Sequence, residues 1–287
     1  MSETAYSDGY WESAGGLKLH YRDYPGRSDH PAVLCIPALI RNCRDFDALA
    51  RDLSGEWRVL ALDLRGRGES DYAKDPASYT PLYYAEDIET LLDGEGIPRV
   101  VAIGTSLGGI VTMLLALRNA DRLAGAAIND IGPVIEPAGL ARLRDYVGQG
   151  RSFPTWMHAA RALSEIYGLA HPDHAIQDWL AMAKRLMVVG GNGRIVFDYD
   201  MRIGDVFNAP HAKEVPEMWP AWQALAGRPL LALRGETSDL LSSETFARMG
   251  EAIPEAELVT IADTGHAPSL DEPEARAAIA RLLAKVA

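Results

Sequence analysis

Short apolar runs alternate with helical patterns over the first 130 residues, and this alternation constrains the fold more than any other feature of the chain. Runs with almost no polar residue are typical of strands that are buried on both faces. The runs are Ala32–Ile36, Arg58–Leu62, Val100–Gly104 and Leu123–Asn129. Because helical patterns separate them, the sequence predicts strand–helix–strand units and a parallel sheet with helices on both faces.

Two further regions extend this core. Tyr10–Ser13 and Leu17–Tyr24 flank Gly15-Gly16 and predict a β-hairpin. The alternation resumes with Pro229–Arg234 and Leu258–Ile261, followed by a terminal helix. We therefore expect one α/β core domain built from residues 1–133 and 226–287.

The middle of the chain, residues 134–225, departs from this rhythm. It is rich in aromatic residues at amphipathic helical spacing and has no convincing run of buried strands. We expect a helical cap, or lid, that contributes no strand to the central sheet and whose underside lines a pocket. Most of its aromatic residues are expected to pack on neighbouring helices.

A possible nucleophile lies between the strand that ends at Gly104 and the helical pattern that begins at Leu107. The segment Gly104-Thr105-Ser106-Leu107-Gly108 fits G-x-S-x-G, a strand-to-helix turn that holds its serine in a strained, accessible position. The helix start adds free N–H groups and a positive dipole end beside Ser106. A glycine-rich turn with a capping serine is the non-catalytic alternative.

A serine hydroxyl needs a base, and histidine is the usual one. Of the seven histidines, His266 follows a late strand in the loop Thr264-Gly265-His266. The others are expected to be structural or exposed: His20, His30, His158, His171, His174 and His211.

The base needs an acid that orients it, and three carboxylates qualify. Asp239 follows the Pro229–Arg234 strand and is the preferred candidate. Asp130, which follows the Leu123–Asn129 run, is the rival, and Glu236 is a weaker third.

Composition limits the partners. The chain has 28 Lys+Arg and 40 Asp+Glu residues, a net charge of −12, which disfavours nucleic acid and anionic membranes. There is no signal-peptide pattern and no apolar run of 18 residues, so we expect a cytoplasmic protein and no membrane span. Cys35 and Cys43 have no metal-ligand spacing, and Cys35 is expected to be a buried thiol.

These motifs together resemble the α/β-hydrolase superfamily, in particular its lidded esterase- or lactonase-like members. The matching segments are Asp63–Ser70 (D-x-R-G-x-G-x-S), Gly104–Gly109, the R-G-E-T-S-D segment from Arg234 to Asp239, and Thr264–His266. The resemblance implies an α/β-hydrolase fold, that is, a mostly parallel eight-stranded sheet with a helical cap. It also implies a structural role for Asp63 and Arg65, and neither a cofactor nor a metal ion.

One segment departs from this family pattern. Relatives usually have His-Gly after the third strand, and the next residue donates one N–H of the oxyanion hole. Here Pro37-Ala38 replaces that pair, so the resemblance makes the backbone N–H groups of Leu39 and Leu107 the expected donors. The nearby Arg41, Asn42 and Arg44 either meet an anionic substrate group or, as we prefer, are solvated or structural.

The sequence therefore predicts a serine hydrolase that acts on a small ester or lactone. A C–C bond hydrolase is an alternative, although Ala267 follows His266 where such relatives have Trp. A cofactor-free haloperoxidase-type enzyme is a second alternative, and a ligand receptor on the same fold is a non-enzymatic one. Ser106 at the elbow excludes dehalogenase and epoxide hydrolase chemistry, which needs a carboxylate there.

Overall fold

The computed structural model of this chain describes residues 5–209 and 217–287, so His211 lies outside the described residues. An eight-stranded sheet forms its centre, in the order β1-β2-β4-β3-β5-β6-β10-β11. Its strands are β1 (Ser7–Glu12), β2 (Lys18–Tyr24), β3 (Ala32–Ile36), β4 (Val59–Asp63), β5 (Val100–Thr105), β6 (Leu123–Asn129), β10 (Leu230–Gly235) and β11 (Glu257–Ile261).

The sheet is mostly parallel, as the sequence predicts. β1 and β2 form the expected antiparallel hairpin, and β2 pairs antiparallel with β4. All remaining neighbours in the sheet, from β4 to β11, pair in parallel. The predicted fold class is confirmed.

Helices cover both faces of this sheet. The helices of the core are α1 (Asp47–Leu53), α2 (Pro81–Gly94), α3 (Leu107–Asn119), α9 (Ser243–Ala252) and α10 (Pro273–Ala284). Alternate residues of β3 point to opposite sides: Val33 and Cys35 pack in the cluster that includes α1 and α10, whereas Leu34 and Ile36 pack in the cluster that includes α2 and α3. A strand that is apolar at every position is therefore buried from both sides, which explains the continuous apolar runs.

The segment 134–225 is inserted between β6 and β10, and none of its described residues joins the eight-stranded sheet. It contains α4 (Pro137–Arg144), α5 (Trp156–Tyr167), α6 (Ile176–Leu186), α7 (Arg202–Phe207) and α8 (Trp219–Gln223). It also contains a small antiparallel sheet in the order β7-β9-β8, formed by β7 (Ser152–Phe153), β8 (Met187–Val189) and β9 (Ile195–Phe197). The expectation that this segment is purely helical is wrong, because strands of two or three residues leave no readable alternation in a sequence.

The topology brings three chain segments together at one edge of the sheet. β5, β6 and β10 are neighbours, and they end at Thr105, Asn129 and Gly235. Because they run in parallel, the residues that follow them meet at the carboxyl edge, where open α/β sheets form their sites. Ser106 and Asp130 are the first residues beyond two of these strands.

Candidate active site

Ser106 lies in a sharp elbow between β5 and α3. Its φ of 53° and ψ of −114° place a non-glycine residue in a strained region of backbone conformation. The turn is tight enough to require glycine on both sides. A Cβ on Gly104 would lie 2.3 Å from the Gly108 carbonyl oxygen, and a Cβ on Gly108 would lie 2.0 Å from that of Ile36. The G-x-S-x-G pattern therefore reflects close backbone packing around the serine.

His266 connects this serine to a buried acid. Its Nε2 lies 2.9 Å from the Ser106 Oγ, and its Nδ1 lies 2.7 Å from the Asp130 Oδ2. The loop of His266, between β11 and α10, is held against the end of β10, where a Cβ on Gly235 would lie 2.5 Å from the Gly265 carbonyl oxygen. The three side chains form one hydrogen-bonded chain, and all three residues are buried, with exposed fractions of 0% for Asp130, 6% for Ser106 and 9% for His266.

Asp130 is fully buried, and its carboxylate is satisfied by several donors. Oδ1 accepts a hydrogen bond from the Gly235 N–H at 2.7 Å, and Oδ2 accepts one from the Ser238 hydroxyl at 2.7 Å, besides facing His266. The Asp130 backbone has a φ of 54°, which turns its side chain from the end of β6 toward the end of β10. A buried carboxylate held by this set of donors has a fixed orientation and can fix an imidazole.

Asn129 joins the same segments from inside β6. Its side-chain amide nitrogen donates to the Thr105 hydroxyl at 3.1 Å and to the Pro268 carbonyl at 2.9 Å. Its backbone carbonyl oxygen accepts from the Ser106 N–H at 2.9 Å. One fully buried side chain thus connects the residue before Ser106 with the loop after His266. Neither Asn129 nor Ser238 is among the site residues predicted from the sequence. A polar residue closing an apolar strand was the one available signal for Asn129.

The loop after β3 lies directly against the start of α3. Leu107 is the first residue of α3, so its N–H has no acceptor within the helix. The Leu39 carbonyl accepts hydrogen bonds from Arg67 Nε and Nη2 at 2.9 and 2.7 Å, and Arg67 is fully buried. A bidentate contact to one backbone carbonyl fixes the orientation of the loop despite the Pro37-Ala38 departure. Whether the N–H groups of Leu39 and Leu107 receive an oxyanion stays a prediction.

A pocket opens beside Ser106 and His266, and the inserted segment forms much of its wall. Its cavity volume is about 100 Å³. Apolar and aromatic side chains line it from the inserted segment, namely Leu143, Tyr146, Val147, Tyr167 and Met182. Charged side chains line it as well, namely Arg41, Asp45, Arg185 and Asp271.

Comparison with known proteins identifies the family. A model of the alpha/beta hydrolase family matches residues 33–279. The chain belongs to the α/β-hydrolase family. It is 30% identical over 270 residues to a 3-hydroxybutyrate-oligomer hydrolase of Cupriavidus necator, covering 91% of this chain and 90% of that protein.

Other relatives support the same family. A crystal structure of an α/β hydrolase from Novosphingobium aromaticivorans is 57% identical, with a TM-score of 0.95, covering 99% of this chain and 100% of that one. A 2-(acetamidomethylene)succinate hydrolase of Mesorhizobium japonicum is 24% identical over 263 residues, covering 91% of this chain and 89% of that protein.

In this α/β hydrolase, Asp239 is not the acid that contacts His266, so the preferred sequence assignment is contradicted. Its carboxylate accepts two hydrogen bonds from Arg142 at 2.5 and 2.8 Å, and its carbonyl oxygen accepts from the Gly139 N–H at 3.1 Å. Burial alone would raise the pKa of Asp239, but the contacts with Arg142 outweigh it and lower the pKa. Asp239 therefore fastens α4 of the inserted segment to the core.

The physical reason is the path of the turn after β10. Ser238 points its hydroxyl at Asp130, and the next residue, Asp239, faces α4 instead. Glu236, the third candidate, accepts from the Asp263 N–H at 3.0 Å in an exposed position and does not reach His266. The rival candidate Asp130 takes the position beside the imidazole.

The polar residues after β3 serve two purposes. Asn42 Nδ2 and Arg44 Nε donate to the Arg185 carbonyl at 3.0 and 2.7 Å, which ties this loop to the end of α6. Arg41 instead lines the pocket and pairs with Asp45. Asn42 and Arg44 thus have the structural role that the sequence analysis preferred for these residues. Arg41 differs from them because it faces the pocket.

One cluster within the described residues has metal-ligating groups, formed by His20, Cys43 and Asp63 with ligand atoms within 4.8 Å of one another. The Asp63 carboxylate already takes part in hydrogen bonds within the protein. It accepts one from the Cys43 N–H at 2.7 Å and one from the Glu69 N–H at 3.1 Å, and its Oδ2 lies 2.7 Å from His20 Nδ1. The other cysteine of the chain is Cys35, and burial raises the pKa of its thiol well above the usual range. These groups are integral to the loop packing.

Arg65 has the structural role that the resemblance implies. Its guanidinium contacts the Asp87 carboxylate at 2.7 and 2.6 Å, and both side chains are buried. None of the described helices is both long and apolar enough to span a membrane.

Proposed function

We propose that this hydrolase cleaves carboxylic esters, including cyclic ones, through an acyl-enzyme on Ser106. The hydrogen-bonded chain Ser106–His266–Asp130 at the base of a lined pocket is the observation that carries the proposal. A serine in contact with a base, which is itself held by an acid, is the arrangement that activates a hydroxyl for acyl transfer.

The reaction follows from the contacts. His266 Nε2 takes the proton of the Ser106 hydroxyl as Oγ forms a bond to the ester carbon, and then gives that proton to the departing alcohol oxygen. A water molecule, deprotonated by the same nitrogen, attacks the acyl-enzyme carbon. The bond to the Ser106 Oγ then breaks, Nε2 returns the proton to Oγ, and the acid is released. Asp130 keeps the second imidazole proton on Nδ1, so that Nε2 faces Ser106 in the form that accepts a proton.

The developing negative charge on the carbonyl oxygen needs donors at a fixed position. We assign this role to the backbone N–H groups of Leu39 and Leu107. Arg67 supports the first by holding the Leu39 carbonyl, and the start of α3 supplies the second. Each such donor contributes on the order of 10²–10³ in kcat in well-studied serine hydrolases.

We assign the segment 134–225 the role of a cap. Its residues Leu143, Tyr146, Tyr167 and Met182 face the pocket, so the cap sets the shape into which an acyl or alcohol group fits. The similarity to a 3-hydroxybutyrate-oligomer hydrolase supports an ester bond as the target, since such oligomers are joined by ester bonds. The similarity to a 2-(acetamidomethylene)succinate hydrolase keeps other bond types among the outcomes of the test.

A substrate panel tests the proposal. Purified protein is given 4-nitrophenyl esters of increasing acyl length, aliphatic lactones and a ring-cleavage-type diketone, with Ser106→Ala as the matched blank. We expect ester or lactone turnover that the variant lacks. Turnover of the diketone alone would favour C–C bond cleavage, and binding without any product would favour a receptor.

A further inference from the structure

The pocket beside Ser106 contains charged side chains that the proposed reaction does not use. Arg41 and Asp45 come from the loop after β3, and Arg185 comes from the end of α6 in the inserted segment. Charged groups in a ligand pocket carry a desolvation cost, so their charges bear directly on which ligands the pocket accepts.

The positive charges among these residues exceed the negative charges. Asp45 is bound by Arg41 through two hydrogen bonds at 2.5 and 2.8 Å, while Arg185 Nε lies farther away, 3.5 Å from the same carboxylate. One carboxylate thus faces two guanidinium groups. Burial would raise the pKa of Asp45, but the adjacent arginines outweigh it and lower the pKa, so the carboxylate is ionised. One positive charge is left over, and it lies with the less tightly held Arg185.

Two further titratable side chains of the pocket bear on its charge. Asp271, whose side chain is 51% exposed, pairs with Arg276 at 2.7 Å, and Arg276 also contacts Asp52 at 3.2 Å. Burial, together with His174 and the nearby arginines, lowers the pKa of His171 to about 3, so this imidazole is neutral near pH 7. The group formed by Arg41, Asp45 and Arg185 therefore makes one part of the pocket wall locally positive.

The position of Arg185 is fixed through its backbone. Its carbonyl oxygen accepts hydrogen bonds from Asn42 Nδ2 and Arg44 Nε, and Arg44 also contacts Asp198. The Arg185 side chain is 32% exposed, compared with 17% for that of Arg41. Arg185 is thus anchored by its main chain while its planar group of donors remains accessible to a ligand.

We propose that Arg185, with Arg41 beside it, binds a carboxylate of the substrate, so that the ester cleaved at Ser106 is an anionic one. The inference rests on the proposed function and adds a substrate class to it. A carboxylate accepts two parallel hydrogen bonds from one guanidinium, and the Arg185 guanidinium can donate both. A neutral ester group has no negative charge and forms no such charge-assisted pair. The carboxylate belongs either to the acyl part or to the alcohol part of the ester.

Binding in the absence of turnover tests the inference most cleanly. In the Ser106→Ala protein, calorimetry compares monobenzyl glutarate with benzyl methyl glutarate, which differ in the acyl-side carboxylate. A second pair, 4-(butanoyloxy)butanoate and its methyl ester, places the carboxylate on the alcohol side. We expect at least one anionic ester to bind about tenfold or more tightly than its neutral partner, as charged hydrogen bonds permit.

The double variant Ser106→Ala, Arg185→Gln should lose that preference, whereas Ser106→Ala, Lys184→Gln should keep it. Lys184 is the matched control because it is the preceding residue of α6, carries the same charge and is exposed. The Arg185→Gln change leaves the backbone carbonyl that Asn42 and Arg44 bind, and an unchanged melting temperature checks the fold.

Each outcome has a separate meaning. A preference for anionic esters that Arg185→Gln removes and Lys184→Gln retains supports the carboxylate site. If the unaltered protein, with Ser106 intact, then turns over neither ester, the proposed hydrolysis is overturned and the carboxylate site is not. Equal binding of the members of both pairs, or a preference that survives Arg185→Gln, overturns the carboxylate site. Ester turnover by the unaltered protein would then still support the proposed function.

Discussion

The Ser238 hydroxyl and the His266 imidazole contact the same oxygen of Asp130, each at 2.7 Å. The turn after β10 thus helps to hold the acid, which itself follows β6. Two parallel strands share in placing one carboxylate, and the third member of the chain comes from the loop after β11. The geometry of the turns after β6 and β10 therefore decides which aspartate contacts His266.

Replacement of Asp130 and of Asp239 by Asn, one at a time, should separate their roles. Asp130→Asn places an amide where His266 Nδ1 needs an acceptor, which favours the wrong imidazole tautomer. A comparable change in a serine protease costs about 10⁴ in kcat. We expect a loss of this order for Asp130→Asn and less than tenfold for Asp239→Asn, measured as kcat/KM on an ester. The reverse ranking would restore Asp239 as the orienting acid.

Much of this molecule could be predicted from the sequence. The parallel strands are apolar along their whole length, so their positions and those of the helices between them are readable. Ser106 was identifiable because its flanking glycines are required by backbone contacts under 3 Å. His266 was identifiable because it lies between the last strand and the last helix.

The acid could not be chosen in this way. Asp130 and Asp239 both follow a buried strand, and the choice depends on side-chain direction within each turn. The positive φ of Asp130 and the Arg142 partner of Asp239 decide it, and both arise from contacts distant in sequence. The small sheet of the inserted segment was missed because β7, β8 and β9 are too short to show a period.

Removal of the Ser238 hydroxyl should weaken catalysis without abolishing it. Ser238→Ala leaves Asp130 with its Gly235 and His266 contacts but deletes one partly buried hydrogen bond, for which about 1 kcal/mol is typical. We expect kcat to fall about five- to tenfold with little change in KM. Ser242→Ala, on the helix cap of α9, is the control. An unaltered kcat in Ser238→Ala would show that the hydroxyl does not position the acid.

Asn129 should matter for both stability and rate. Asn129→Leu has a similar size but leaves the buried Pro268 carbonyl without its donor, at a cost of about 1–3 kcal/mol in the free energy of unfolding. The loop after His266 is then less firmly held, so kcat should fall as well. Denaturant titration and ester kinetics measure the two effects. Normal stability together with normal kcat would remove Asn129 from the account.

Because of His171, we expect the free energy of unfolding to decrease at acidic pH. Its pKa of about 3 in the folded protein lies below its ordinary value of 6.5, so between these values the unfolded chain binds more protons. The free energy of unfolding should therefore decrease as the pH falls from about 6.5 toward 3, by at most about 1.4 kcal/mol per pH unit from this group. His171→Gln should reduce that slope in urea titrations at pH 7 and 4.5. A variant with the same slope as the parent would contradict the assignment.

The central claim, that Ser106 is the nucleophile, is tested most directly by mapping a covalent adduct. A fluorophosphonate is added to the protein, and the modified peptide is located by mass spectrometry, with Ser106→Ala and His266→Ala in parallel. The structure predicts a single adduct on Ser106, slow labelling of His266→Ala, no labelling of Ser106→Ala, and a loss of kcat on the order of 10⁶ in that variant. An adduct on another residue, or near-normal ester turnover by Ser106→Ala, would contradict it.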